Sequence, residues 1–111
     1  MDRIVEKGWL YDYYGALLTD RQRQIYEDAV YNDLSLSELA DTYGISRQGV
    51  HDLLKRCDKS LQEYEDKLGC IKRDKALEHI LQTMTEQAEQ KKDEQMAQNI
   101  RTALDILKTS S

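Results

Sequence analysis

Arg47, Gln48, His51 and Lys55 fall at i, i+1, i+4 and i+8, with Arg56 next to the last of them. On an α-helix that spacing lines up long polar side chains along one side. Their chemistry is hydrogen bonding to nucleic acid. An arginine can bridge two acceptors of guanine, a glutamine can pair with adenine, and lysine and arginine neutralise phosphate. Asp52 shares the stripe, where it repels phosphate but can accept from cytosine. The same residues also suit an ordinary solvated face, or a surface used against protein. Elsewhere the residue types for chemistry are present without the arrangement. His51 and His79 stand far apart, with no serine, cysteine or acid at triad-like spacing. Nor does a glycine-rich loop offer to cradle phosphate. His79, between Leu77 and Ile80, reads as structural. Neither catalysis, a metal nor a cofactor is expected.

The residues before the stripe explain what would hold it out. In SLSELADTYGISRQGVHDLL, residues 35–54, Ser35 and Glu38 form a capping box for a short helix, and Leu34 with Leu39 forms its hydrophobic staple. Gly44 supplies a left-handed residue that ends this helix. Ser46 caps a second helix, with Ile45 and Val50 as a second staple. Leu39, Ala40, Ile45, Val50 and Leu53 then face inward. Cap, sharp turn, cap and long helix make a helix-turn-helix.

Composition points the same way. The 111 residues contain no proline and five glycines, and 33% are charged, which favours helices over sheet. A net charge of −5 argues against holding nucleic acid by bulk electrostatics. Residues 17–56 carry five Arg/Lys against seven Asp/Glu, so the motif is itself acidic. Cys57 and Cys70 lack metal-ligand spacing and read as buried thiols. No signal peptide, bilayer-length apolar run or lipidation motif is visible, so a reducing cytoplasm and no membrane insertion are expected.

Along the chain, Ile4 to Leu17 show helical spacing of apolar and aromatic residues at 5, 9, 10, 13, 14 and 17, packing a first helix onto the motif. Thr19 and Gln22 form another capping box, for a helix burying Ile25, Tyr26, Ala29 and Val30; Asn32 and Asp33 stop it. Arg21 and Arg23 in its first turn oppose the helix dipole and reach either phosphate or the neighbouring Asp20 and Glu27. The second helix of the motif has no breaker before Gly69, and its apolar stripe at 57, 61, 64 and 68 is left needing a cover, which the C-terminal part of the chain can supply. Ile71, Ala76, Leu77, Ile80, Leu81, Met84 and Ala88 form a further stripe. The all-polar residues 89–95 read as a break before Met96, Ile100, Ala103, Leu104 and Leu107, although one continuous helix is not barred there. The chain is therefore expected to be all-α, with a helix-turn-helix domain over 1–68 and a C-terminal helical extension over 69–111. The surplus stripes predict a homodimer through the second half of the long helix and the C-terminal helices.

LLTDRQRQIYEDAVYNDLSLSELADTYGISRQGVHDLLKRCDKSL, Leu17 to Leu61, resembles region 4 of bacterial sigma factors, with its LTxRQR opening and GISRxxV turn. Over its whole length the chain resembles the YlxM family of small bacterial proteins, through WLYDYYGALLT, SRQGVHDLLKR and QEYEDKLG. The YlxM resemblance implies an all-helical protein acting in, or regulating, the signal recognition particle pathway, since genes of that family tend to neighbour those for its GTPase. The implied partners are the targeting GTPase, its RNA, or both. The sigma-region resemblance implies duplex DNA as the alternative, and places Arg47, Gln48, His51 and Lys55 toward the groove.

Overall fold

The computed structural model describes residues 3–109. Six α-helices follow one another: α1 Arg3–Tyr14, α2 Asp20–Val30, α3 Leu36–Tyr43, α4 Arg47–Leu68, α5 Cys70–Gln90 and α6 Glu94–Thr109, with a 3₁₀ turn, Gly15–Leu17, after α1. The chain divides into two compact units, Met1–Leu68 and Gly69–Ser111.

In the first unit, α2, α3 and α4 meet at Ile25, Leu39 and Val50, each wholly excluded from solvent. Leu34, Ala40, Ile45 and Leu53 pack around them, so the inward face and both staples are in place. The Thr19–Gln22 and Ser35–Glu38 capping boxes are both reciprocal. Asp33 adopts a left-handed conformation (φ 56°) as α2 gives way, and the Leu34 N–H donates to the Asp28 carbonyl at 3.0 Å.

Three expectations need correction in this unit. Leu17 is exposed and Leu18 is buried, because the 3₁₀ turn winds more tightly than the helix and shifts the register by one residue. Val30 is exposed at the end of α2. The stripe of α4 is not bare: α1 lies along it. Cys57 and Leu61 are fully buried, Tyr14 packs its ring on Tyr64 at 6.1 Å, and its hydroxyl donates to Glu65 at 2.6 Å. Lys7 pairs with Asp58 at 3.3 Å. Of the apolar positions 57, 61, 64 and 68, only Leu68 stays exposed, at 59%. Tyr11 stacks on Tyr26 of α2 at 5.3 Å, so α1 bridges α2 and the second half of α4 rather than resting on the turn. The Val5 side chain lies outside the described residues.

The second unit is a helical hairpin. Its seam is small: Ala88, Ala97 and Ile100 are buried, flanked by Leu81 and Leu104. The turn falls at residues 91–93, inside the polar stretch. Lys92 is left-handed (φ 56°), and Asp93 accepts from the Met96 N–H at 3.0 Å, capping α6. The anticipated stripe is only partly buried, since Ala76, Leu77, Ile80, Met84 and Met96 stay exposed. His79 is exposed rather than packed. Cys70 is half-buried, and neither cysteine is in a disulfide.

Burial pushes the Tyr26 phenol well above its ordinary range, with the Asp58 charge adding to it, and pushes the Cys57 thiol up to about 11. Both groups are neutral in the fold. A raised folded pKa means that their contribution is complete below the unfolded values of about 9–10, and is lost as pH rises through the folded ones. Urea titrations should therefore give a level stability between pH 7 and 8.5 and a falling one above pH 9. Tyr26→Phe should cost about 1 kcal/mol at neutral pH, through the lost hydrogen bond to Asp58, and make the alkaline decline shallower.

Candidate functional site

The backbone of the turn decides which side of α4 is free. Gly44 sits at φ 66°, ψ 35°, its N–H donating to the Ala40 carbonyl, and Ile45 N–H reaches the same carbonyl at 3.2 Å. A side chain here would be strained, because the left-handed region costs an L-residue about 1–2 kcal/mol. Ser46 then starts α4: its hydroxyl accepts from Gly49 N–H at 2.9 Å, and its carbonyl accepts from Val50 N–H at 3.0 Å. Gly49 keeps this cap open, since a Cβ at that position would lie 3.1 Å from the Ser46 hydroxyl. With Val50 locked inward, Arg47, Gln48, His51, Asp52, Lys55 and Arg56 are all exposed.

The stripe is less uniform than its spacing suggests. Advancing 100° per residue, Arg47, His51 and Lys55 follow one another closely, with Gln48 beside Lys55. Arg56 falls on the far edge, about half a turn from Arg47. Lys59, one turn beyond Lys55, is exposed on the same line and belongs with this set, a position that i+4 counting from Lys55 could have found. Asp52 sits among the bases. Its carboxylate accepts from the Gln48 amide at 2.9 Å and lies 3.7 Å from His51 Nδ1. The amide suited to adenine is thus engaged within the helix, and one anion faces three or four cations.

Arg21 departs from both sequence readings, while Arg23 lies near the two acids that one of them named. Arg21 donates to the Tyr43 carbonyl at 3.3 Å, at the C-terminal end of α3, where a cation meets the negative pole of a helix. Arg23 is bound up with the Tyr11 phenol, with Glu27 and Asp20 near it. Among the described residues no group of His, Cys, Asp or Glu could hold a metal ion, and no helix is long and apolar enough to cross a membrane.

A helix-turn-helix with this turn and this outer stripe can be compared with known proteins. Residues 1–101 match the model of the UPF0122 family, the YlxM / p13-like helix-turn-helix proteins. The chain belongs to that family. A UPF0122 protein of Halalkalibacterium halodurans is 32% identical over 107 residues, covering 96% of this chain and 98% of its own length. One from Clostridium botulinum is 40% identical over 91 residues, 82% of this chain and 84% of the relative. One from Thermoanaerobacter sp. strain X514 is 58% identical over 64 residues, 58% of this chain; that match spans about half the relative's length (55%).

The turn chemistry predicts two measurable costs. Gly44→Ala should lower the unfolding free energy by about 1–2 kcal/mol through backbone strain, with nothing near the new methyl to repack. Ser46→Ala should lower it by about 1 kcal/mol through the lost cap. Chemical denaturation of both variants checks this, and Thr42→Ala, on an exposed position of α3, should stay within about 0.5 kcal/mol.

Proposed function

We propose that this UPF0122 protein is a non-enzymatic accessory factor of the signal recognition particle pathway, engaging the targeting GTPase, its RNA or both through the outer stripe of α4. The observation that supports this most is the composition of the stripe. Arg47, His51, Lys55 and Lys59 stand clear of the fold on a rigid helix, but Asp52 lies among them and the motif as a whole is acidic. Non-specific duplex binding rests on unopposed cations, each phosphate contact releasing counterions. A stripe of mixed sign suits a surface that offers both donors and acceptors, as a protein or a folded RNA does. The resemblance to YlxM proteins supports the choice of pathway.

Duplex DNA is the second reading, favoured by one feature: the capped turn throws Arg47 to the front of the exposed helix, the position from which such motifs reach base edges. Binding titrations of the full chain against purified particle GTPase, particle RNA and duplex DNA, each at two salt concentrations, separate the readings. The expected result is a micromolar complex with the GTPase or the RNA, weakened by Arg47→Ala and Lys55→Ala. Asp52→Asn discriminates further: removing the anion should tighten a nucleic-acid complex by about threefold to tenfold and leave or weaken a protein complex. Tight duplex binding with a steep salt dependence would instead establish the DNA reading. Absence of a complex with the GTPase and the RNA would overturn the targeting one.

A further inference from the structure

The hairpin of α5 and α6 leaves several large apolar side chains bare. Its seam consists of Ala88, Ala97 and Ile100 with Leu81 and Leu104. Leu77, Ile80 and Met84 of α5 stay 42%, 54% and 39% exposed, and Met96 of α6 46% exposed. These residues are not scattered. At 100° per residue, Leu77, Ile80 and Met84 occupy one flank of the α5 side of the seam, while Met96 and Ala103 occupy a flank of α6. Because the two helices are antiparallel, those flanks open on the same side. Charge gathers on the other: Glu78, Glu89, Glu94, Arg101 and Asp105 fall there, with Arg101 paired to Glu89 at 3.8 Å.

We infer that this flank is a homodimer interface, on which the same face of a second copy packs to complete a four-helix bundle. Two observations favour a second copy. A two-fold interface brings each residue close to its own kind, so like charges on it repel. This flank is bordered by Ala76, Gln87 and Asn99; Arg73 stands at its N-terminal end, paired with the neighbouring Asp74 at 3.4 Å, and the acidic residues are turned away. The area also fits. From the fractional exposures, each copy offers on the order of 400 Å² of apolar surface, comparable to the apolar share of the about 800 Å² that each partner contributes to a standard interface. A pair of amphipathic helices with one bare flank is half of a four-helix bundle, and a second copy supplies the other half. The interface is independent of what α4 binds, and it excludes the second half of α4, whose stripe α1 already covers.

Sedimentation equilibrium of the full chain from 1 to 100 µM tests this. The expected result is twice the 13.0 kDa chain mass at the upper end. Ile80→Glu should raise the dissociation constant at least about tenfold with helical circular dichroism unchanged, since the position is exposed in one copy. Met84→Lys should do the same through a charge of opposite sign, and Gln82→Ala on the charged side should leave the mass unchanged. A wild-type monomer throughout the range, with or without another protein captured on this flank, would overturn the proposal. So would a dimer that survives both Ile80→Glu and Met84→Lys.

Discussion

Everything in the first unit depends on the point where Ile25, Leu39 and Val50 exclude water together. Each comes from a different helix, and each lies within two turns of its N-cap. Ile25 follows the Thr19 box, Leu39 is the fourth residue after Ser35, and Val50 is the fourth after Ser46. The caps fix where each helix begins, and the meeting point fixes its rotation. A helix with both its start and its rotation fixed has no freedom left in which side it shows to solvent. The exposure of Arg47, His51 and Lys55 is therefore a consequence of burying Val50, not a separate property of the surface.

The chain has seven tyrosines and no phenylalanine, and that choice shapes its charge. Tyr11, Tyr14, Tyr26 and Tyr43 donate their hydroxyls to Glu27, Glu65, Asp58 and Asp28 respectively. A buried or half-buried phenol needs an acceptor, and a carboxylate is a strong one. With few aliphatic side chains available, the unit obtains packing area from these rings and satisfies their polar tips with acids. Asp28 shows the effect from the other side: hydrogen bonds from Tyr43 and Asn32 hold its carboxyl below the usual range. Part of the net negative charge thus serves the interior, so the whole-chain balance understates how basic the outer line of α4 is.

The parts of this fold legible in the sequence were those set by residues within one or two turns of each other. Both capping boxes, the left-handed Gly44 and the inward and outward faces of α3 and α4 follow from local spacing, and the structure has them. The polar run at 89–95 marked the hairpin turn, although its agents, a left-handed Lys92 and an Asp93 cap, lack the usual glycine signal. What could not be read was which helix covers which. The apolar stripe of α4 announces that something lies on it, but periodicity does not carry an address, and α1 reaches it from some fifty residues away. The 3₁₀ turn that exchanges Leu17 for Leu18 is equally silent, because one residue of tighter winding changes a face without changing composition. At the candidate site, the spacing shows who shares the stripe, and counting 100° per residue already moves Arg56 to its edge; the Gln48–Asp52 bond is a matter of rotamer.

That bond bears on how the two halves of α4 divide their tasks. The helix is continuous for 22 residues, yet its environment changes midway. Up to Leu54 its apolar side is held by α2 and α3; from Cys57 α1 takes over, with Tyr26 of α2 still bonded to Asp58. Packing along both halves makes the rod stiff, so a contact at Arg47 is presented without a cost in ordering the backbone. Stiffness also sets a restriction. A preorganised stripe cannot reshape itself to relieve a repulsion, so Asp52, anchored to Gln48, acts against any ligand that brings phosphate to that spot. On a flexible loop the same carboxylate could swing aside. On this helix it is a fixed condition that a partner must meet with a donor of its own.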